Sequence, residues 1–161
     1  MPTHQQDLAK ELTVLASAAP SVEDLMSTIV GRLQEHLGHY DWVGFYMIEK
    51  DGADEKPMLV LGPYVGAVTP HTRIPLNQGI CGAAASSGKT VIVDDVNSDP
   101  RYLACSLETR SEIVAPIHVK GEVVGELDID SHTPAAFTPD DRQLVEHCAR
   151  LVGLYLEKTA A

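Results

Sequence analysis

The sequence predicts an α+β domain built on a mostly antiparallel sheet. Three observations carry that prediction. Helical periodicity is confined to the two ends of the chain and one short central stretch, and runs of strand-like residues bounded by Gly and Pro fill the interval. The two clearest of these runs, SEIVAPIHV and EVVGELDID, are joined only by Lys120 and Gly121. So short a connection closes an antiparallel hairpin and leaves no room for the crossover that parallel pairing needs. Strands grouped between helices, rather than alternating with them, give the α+β class.

Residues 5 to 18 and 21 to 37 carry apolar positions at helical spacing, in the second case Leu25, Ile29, Val30, Leu33 and Leu37. Ser21 and Asp24 form a capping pair there, and Gly38 is the stop. DWVGFYMI and MLVLGPY then read as an antiparallel strand pair across the polar turn EKDGADEKP. RIPL is a short strand, GICGAAASSG a short helix of small residues, and TVIVDDV another strand. The loop NSDPRYLACSLETR leads into the hairpin, and FTPDDRQLVEHCARLVGLYLEK closes the chain as a helix. Thr138 caps that helix, Pro139 takes its first position, and Asp140 and Asp141 face the positive end of its dipole. Its apolar stripe is Leu144, Val145, Cys148, Leu151, Val152 and Tyr155. No repeat or linker interrupts the order, so residues 1–161 are read as a single domain.

Composition removes several function classes. Of 161 residues, 44% are hydrophobic and 22% charged, and no apolar run approaches a membrane span. The formal charge of -11 repels nucleic acid and anionic lipid, so neither is expected as a partner. The N-terminus lacks the basic start and apolar stretch of a secretion signal, which predicts a soluble, cytoplasmic protein. Three cysteines without CxxC or paired-His spacing predict free thiols, with neither a disulfide scaffold nor a zinc motif.

Each cysteine has its own setting. Cys148 lies on the apolar stripe of the last helix and reads as a small core residue. Cys81, at the start of the GICGAAA helix, has two readings: a thiol whose pKa the helix dipole lowers, or a small residue chosen for tight packing. Cys105 falls in a polar loop with Arg101 and Arg110 nearby, which suits a reactive thiolate, while the flanking Leu103 and Leu107 also suit a buried loop anchor.

On EVVGELDID, alternation places Val124, Glu126, Asp128 and Asp130 on one face and Val123, Gly125, Leu127 and Ile129 on the other. Glu126 is read as facing water; for Asp128 and Asp130 a second reading is the floor of a polar pocket. With a regular two-residue turn Glu112 points away from the aspartates. A bulge between Glu112 and the turn, which Pro116 favours, brings it to their face. Trp42 and Tyr46 share one face of the first strand, either as core or as a wall for an apolar or sulfur-bearing ligand group.

Taken in order, WVGFY, LGPY, RIPLNQGICGAA, VDDV, YLAC, SEIVAPI and GELDIDS, followed by FTPDD and a helix, resemble the free methionine-(R)-sulfoxide reductases, which are built on a GAF domain. The likeness implies N-terminal helices over residues 1–38 and a GAF core with its C-terminal helix over 41–157. The terminal helices should lie on one sheet face and a small ligand pocket on the other. It also implies that Cys105 is the nucleophile, that Cys81 is the resolving cysteine, and that Trp42, Tyr46, Glu112, Asp128 and Asp130 surround the substrate. Members of the family usually carry a further cysteine just before the RIP segment, where this chain has Thr69, Pro70 and His71.

The implied activity is reduction of free methionine-(R)-sulfoxide to methionine through a sulfenic acid and a disulfide. It needs no bound cofactor, an external dithiol such as thioredoxin as reductant, and commonly a homodimer. Two alternatives remain at this stage: a non-enzymatic GAF sensor of a small molecule, and a thiol redox sensor.

Overall fold

The computed structural model describes residues 1–50, 56–103 and 107–159. Its helices are α1 His4–Ala18, α2 Val22–His36, α3 Gly79–Ser87 and α4 Pro139–Thr159. Its strands are β1 Trp42–Glu49, β2 Met58–Val65, β3 Arg73–Pro75, β4 Val91–Val93, β5 Ser111–Val119 and β6 Glu122–Ser131. Among the described residues no helix is long and apolar enough to cross a membrane.

The helix starts follow side-chain chemistry. Ser21 Oγ accepts from the Asp24 N–H at 3.1 Å and donates to its carboxylate at 2.9 Å. At α4, Thr138 Oγ1 accepts from the Asp141 N–H at 3.3 Å, and Asp141 Oδ2 accepts from the Thr138 N–H at 2.9 Å. That reciprocal pair satisfies two backbone donors that helix geometry leaves without partners. The strand read over TVIVDDV is shorter than its sequence suggests. Asp95 accepts from the Asn97 N–H and turns the chain into a 3-10 turn at Val96–Ser98.

All six strands form one antiparallel sheet in the order β3-β2-β1-β6-β5-β4. Helices α1, α2 and α4 pack on one face against Val43, Phe45, Ile113, Ile117, Leu127 and Ile129. Helix α3 covers the other, where Ile80, Cys81, Ala84 and Ala85 meet Trp42, Tyr46, Leu59 and Val114. Gly82 lets this helix lie close against the turn that leaves β3: a Cβ there would come within 2.8 Å of the Leu76 carbonyl oxygen.

Hairpin β5–β6 turns at Lys120 and Gly121, whose φ values of 51° and 83° are those of a tight primed turn. Beside it the register shifts once: Ile117 pairs with Gly125 and His118 with Val123, leaving Val124 as the extra residue. That bulge brings Glu112 opposite Asp130, on the aspartate face. It also corrects the alternation assigned to the start of β6, since Val124 packs with the helix-side core and Val123 with the α3-side cluster.

Gly44 is held by the aromatic wall. A Cβ there would lie 2.3 Å from Trp42 Cη2 and 2.9 Å from Tyr64 Cβ. Gly44→Ala is therefore expected to push the indole off the sheet and to cost roughly 1–3 kcal/mol, the usual range for an overpacked site. Trp42 is the only tryptophan, so a shifted emission maximum together with a lowered Tm would report the displacement directly. Unchanged emission would show that the backbone yields instead.

Candidate active site

Register places four acids on the α3 side of the sheet. Glu112 of β5 pairs across the ladder with Asp130 of β6, Val114 with Asp128, and Pro116 with Glu126. On the other side of β6, Trp42, Gly44 and Tyr46 of β1 face Asp130, Asp128 and Glu126 in turn. Helix α3 then roofs this face and takes it out of water. Glu112, Glu126, Asp128 and Asp130 are only 4%, 0%, 2% and 2% exposed. The water-facing position read for Glu126 is thus corrected: the alternation was right, but the solvent is displaced by α3.

Cys81 reaches the cluster from the first turn of α3 and donates through Sγ to Asp128 Oδ2 at 3.4 Å. It does not become the low-pKa thiol that a helix start suggests. Burial pushes its thiol well up, and the charges of Asp128, Glu126 and Glu112 push in the same direction. The acids are raised too. Burial comes first for all four; for Glu112 it is reinforced by Asp128 and Asp130, and for Asp130 by Asp128. Asp128 is opposed by hydrogen bonding with Glu112 and Cys81, which favours its ionised form. Closely spaced carboxylates with different surroundings divide protons between them, as acid–base chemistry near neutral pH requires.

Tyr46, Cys81, Glu112 and Asp128 line one cavity with Ile74, Ile80, Gly79 and Leu103. Its volume is about 10 Å³, at the threshold for a single water. Gly79 and Leu103 also border an open groove of about 460 Å³ along α3 and residues Pro100 to Leu103. A contact between those two residues therefore separates cavity from groove: a Cβ on Gly79 would be 3.0 Å from Leu103 Cδ1. A larger groove of about 560 Å³ beside α4, including Thr90, His118, Arg142 and Arg150, has no buried ionisable side chain in its lining and is the weaker candidate for chemistry.

Of the residues expected at the site, the structure brings Cys81, Tyr46, Glu112 and Asp128 to the cavity, with Asp130 behind Glu112. Trp42 stands one step further along, opposite Asp130. It stacks on Tyr64 at 5.6 Å and donates its indole N–H to the Ala67 carbonyl at 3.0 Å. The Tyr46 hydroxyl donates to the His71 carbonyl at 2.7 Å, tying the segment before RIP to the cavity wall. In that segment Thr69 is buried and accepts from the His71 N–H at 3.1 Å. Cys105 lies outside the described residues. Ile74 and Ile80 were not singled out from sequence; Leu103 was read only as a flank and anchor of the Cys105 loop, and Glu126 as facing water although it alternates with Asp128.

The chain matches the GAF domain family over residues 21–156. It is 34% identical over 137 residues to the free methionine-R-sulfoxide reductase of Escherichia coli (strain K12), covering 85% of this chain and 79% of that protein. It is also similar to the free methionine-R-sulfoxide reductase from Neisseria meningitidis, solved in complex with its substrate. The TM-score is 0.87 at 31% identity, over 98% of this chain and 92% of that one. A putative GAF sensor protein from Burkholderia vietnamiensis is comparably similar, with a TM-score of 0.86 at 30% identity over 98% and 97% of the two chains.

Proposed function

The chain belongs to the GAF-domain family and, within it, to the free methionine-(R)-sulfoxide reductases, and from that membership we propose that it reduces free methionine-(R)-sulfoxide to methionine. The observation that carries this reading is the buried cluster of Cys81, Glu112, Asp128 and Asp130 beside Tyr46. A thiol, proton-holding acids and an aromatic wall are what a small zwitterion bearing a sulfoxide requires.

The Cys105 thiolate attacks the sulfoxide sulfur, and a neutral carboxylic acid protonates the oxygen. Oxygen passes to Cys105 as a sulfenic acid, and methionine leaves as the two-electron-reduced product. The Cys81 thiol condenses with the sulfenic acid, releasing water and forming a disulfide. A dithiol of the thioredoxin class restores both thiols by exchange. Asp128, whose ionised form is favoured by its hydrogen bonds, pairs with the substrate ammonium. Glu112 or Asp130, held neutral by burial and by neighbouring acids, supplies the proton. Substrate reaches the cluster by parting Leu103 from Gly79. We further propose that the protein works in the cytoplasm as a homodimer.

The test is incubation of pure protein with each stereoisomer of free methionine sulfoxide and a dithiol reductant, followed by measurement of methionine. Methionine is expected from the R form alone. No turnover of the R form would leave the sensor reading, which the likeness to the Burkholderia protein favours.

A further inference from the structure

Cys81 Sγ and one carboxylate oxygen each from Glu112 and Asp128 lie within 4.8 Å of one another, all three residues buried. They come from α3, β5 and β6, so no local motif announces them. The cluster is short of positive charge. No ion pair between described residues involves Glu112, Glu126, Asp128 or Asp130. Asp128 Oδ1, Asp130 Oδ1 and both carboxylate oxygens of Glu126 are buried without a hydrogen-bond partner. Buried acceptors of this kind are costly unless a proton or a cation meets them.

We propose that Cys81, Glu112 and Asp128 form a binding site for a divalent cation of the zinc type. A thiolate with two carboxylate oxygens is a donor set that zinc accepts. Magnesium and calcium select oxygen donors and would forgo the sulfur. Three protein ligands leave the fourth tetrahedral position to water, and the adjoining cavity of about 10 Å³ is at the size for one. Glu126 and Asp130 stand behind the ligands as further negative charge. Binding releases the Cys81 proton, so the metal displaces protons that the cluster otherwise holds. One consequence rests on the reductase reading: zinc on Cys81 and Asp128 takes both the resolving thiol and the ammonium site, and inhibits turnover. Metal binding itself does not depend on that reading.

The test is anaerobic titration of the reduced protein with Co²⁺, followed by displacement with Zn²⁺. One equivalent of Co²⁺ should produce a thiolate-to-cobalt absorption in the near ultraviolet and visible bands of tetrahedral intensity, and Zn²⁺ should erase both. Cys81→Ser should remove the thiolate band, whereas Cys105→Ser and Cys148→Ser should keep one. Should Cys81→Ser fail to fold, as judged by circular dichroism, Asp128→Asn provides the decision, because it preserves shape and must weaken binding at least tenfold. Absence of the thiolate band in the folded wild type, its persistence in folded Cys81→Ser, or unweakened binding in Asp128→Asn would each overturn the site.

Discussion

Cys105→Ser is expected to abolish methionine formation from the R sulfoxide, by roughly 10³-fold or more, the scale on which a lost nucleophile is felt. Cys81→Ser should behave differently. Its first turnover needs only Cys105, so one equivalent of methionine per chain should appear in a burst, after which the sulfenic acid waits for an external thiol. Burial and the neighbouring acids keep the Cys81 thiol protonated at rest, so resolution requires a base to take its proton as the disulfide forms. Cys148 supplies the control. It is fully buried in the helix-side core, where burial pushes its thiol up to about 12, and Cys148→Ala should retain turnover. Rapid-quench measurement of methionine decides among the three. Full turnover in Cys105→Ser removes the nucleophile assignment, and wild-type steady-state turnover in Cys81→Ser removes the resolver.

The sequence and the structure agree best where local chemistry is decisive. The Thr138–Pro139 start of α4, the Ser21 cap and the Lys120–Gly121 turn depend on a few neighbouring residues, and each forms where those residues place it. The face on which Glu112 lies was legible only as a conditional, because it turns on a bulge that Pro116 suggests but does not locate. Glu126 and Cys81 were harder for one shared reason. Both owe their state to α3 lying across β6, a long-range contact that alternation and helix position do not contain. A helix start alone lowers a thiol pKa; burial of that start, and then the charge of three carboxylates beneath it, raises it.

Burial of the four acids makes stability depend on pH in an uncommon direction. Glu112, Glu126, Asp128 and Asp130 all have folded pKa values above those of the unfolded chain. Above the unfolded carboxylate range, about pH 4 to 4.5, the unfolded chain sheds protons that the folded chain keeps. Each such group therefore lowers stability as pH rises, by up to about 1.4 kcal/mol per pH unit, until its folded pKa is passed. For a chain of this size that is roughly 3 to 6 °C in Tm per pH unit. Two groups act in opposition. Burial raises Asp141, but hydrogen bonds from Tyr40 and Thr138 outweigh it and lower the pKa, so its contribution is lost below the unfolded carboxylate range. His147 is lowered, chiefly by burial, so acidification through its range costs stability. Glu126→Gln separates these effects, because it removes one titrating acid from a position without hydrogen-bond partners and leaves Asp141 and His147 in place. The variant should melt several degrees above wild type at pH 8 and match it only at about pH 4 and below, where the carboxyl is protonated in the folded and unfolded chains alike and close in shape to the amide. Scanning calorimetry across that range is the measurement, and a constant offset between the two proteins would show that Glu126 does not titrate on unfolding.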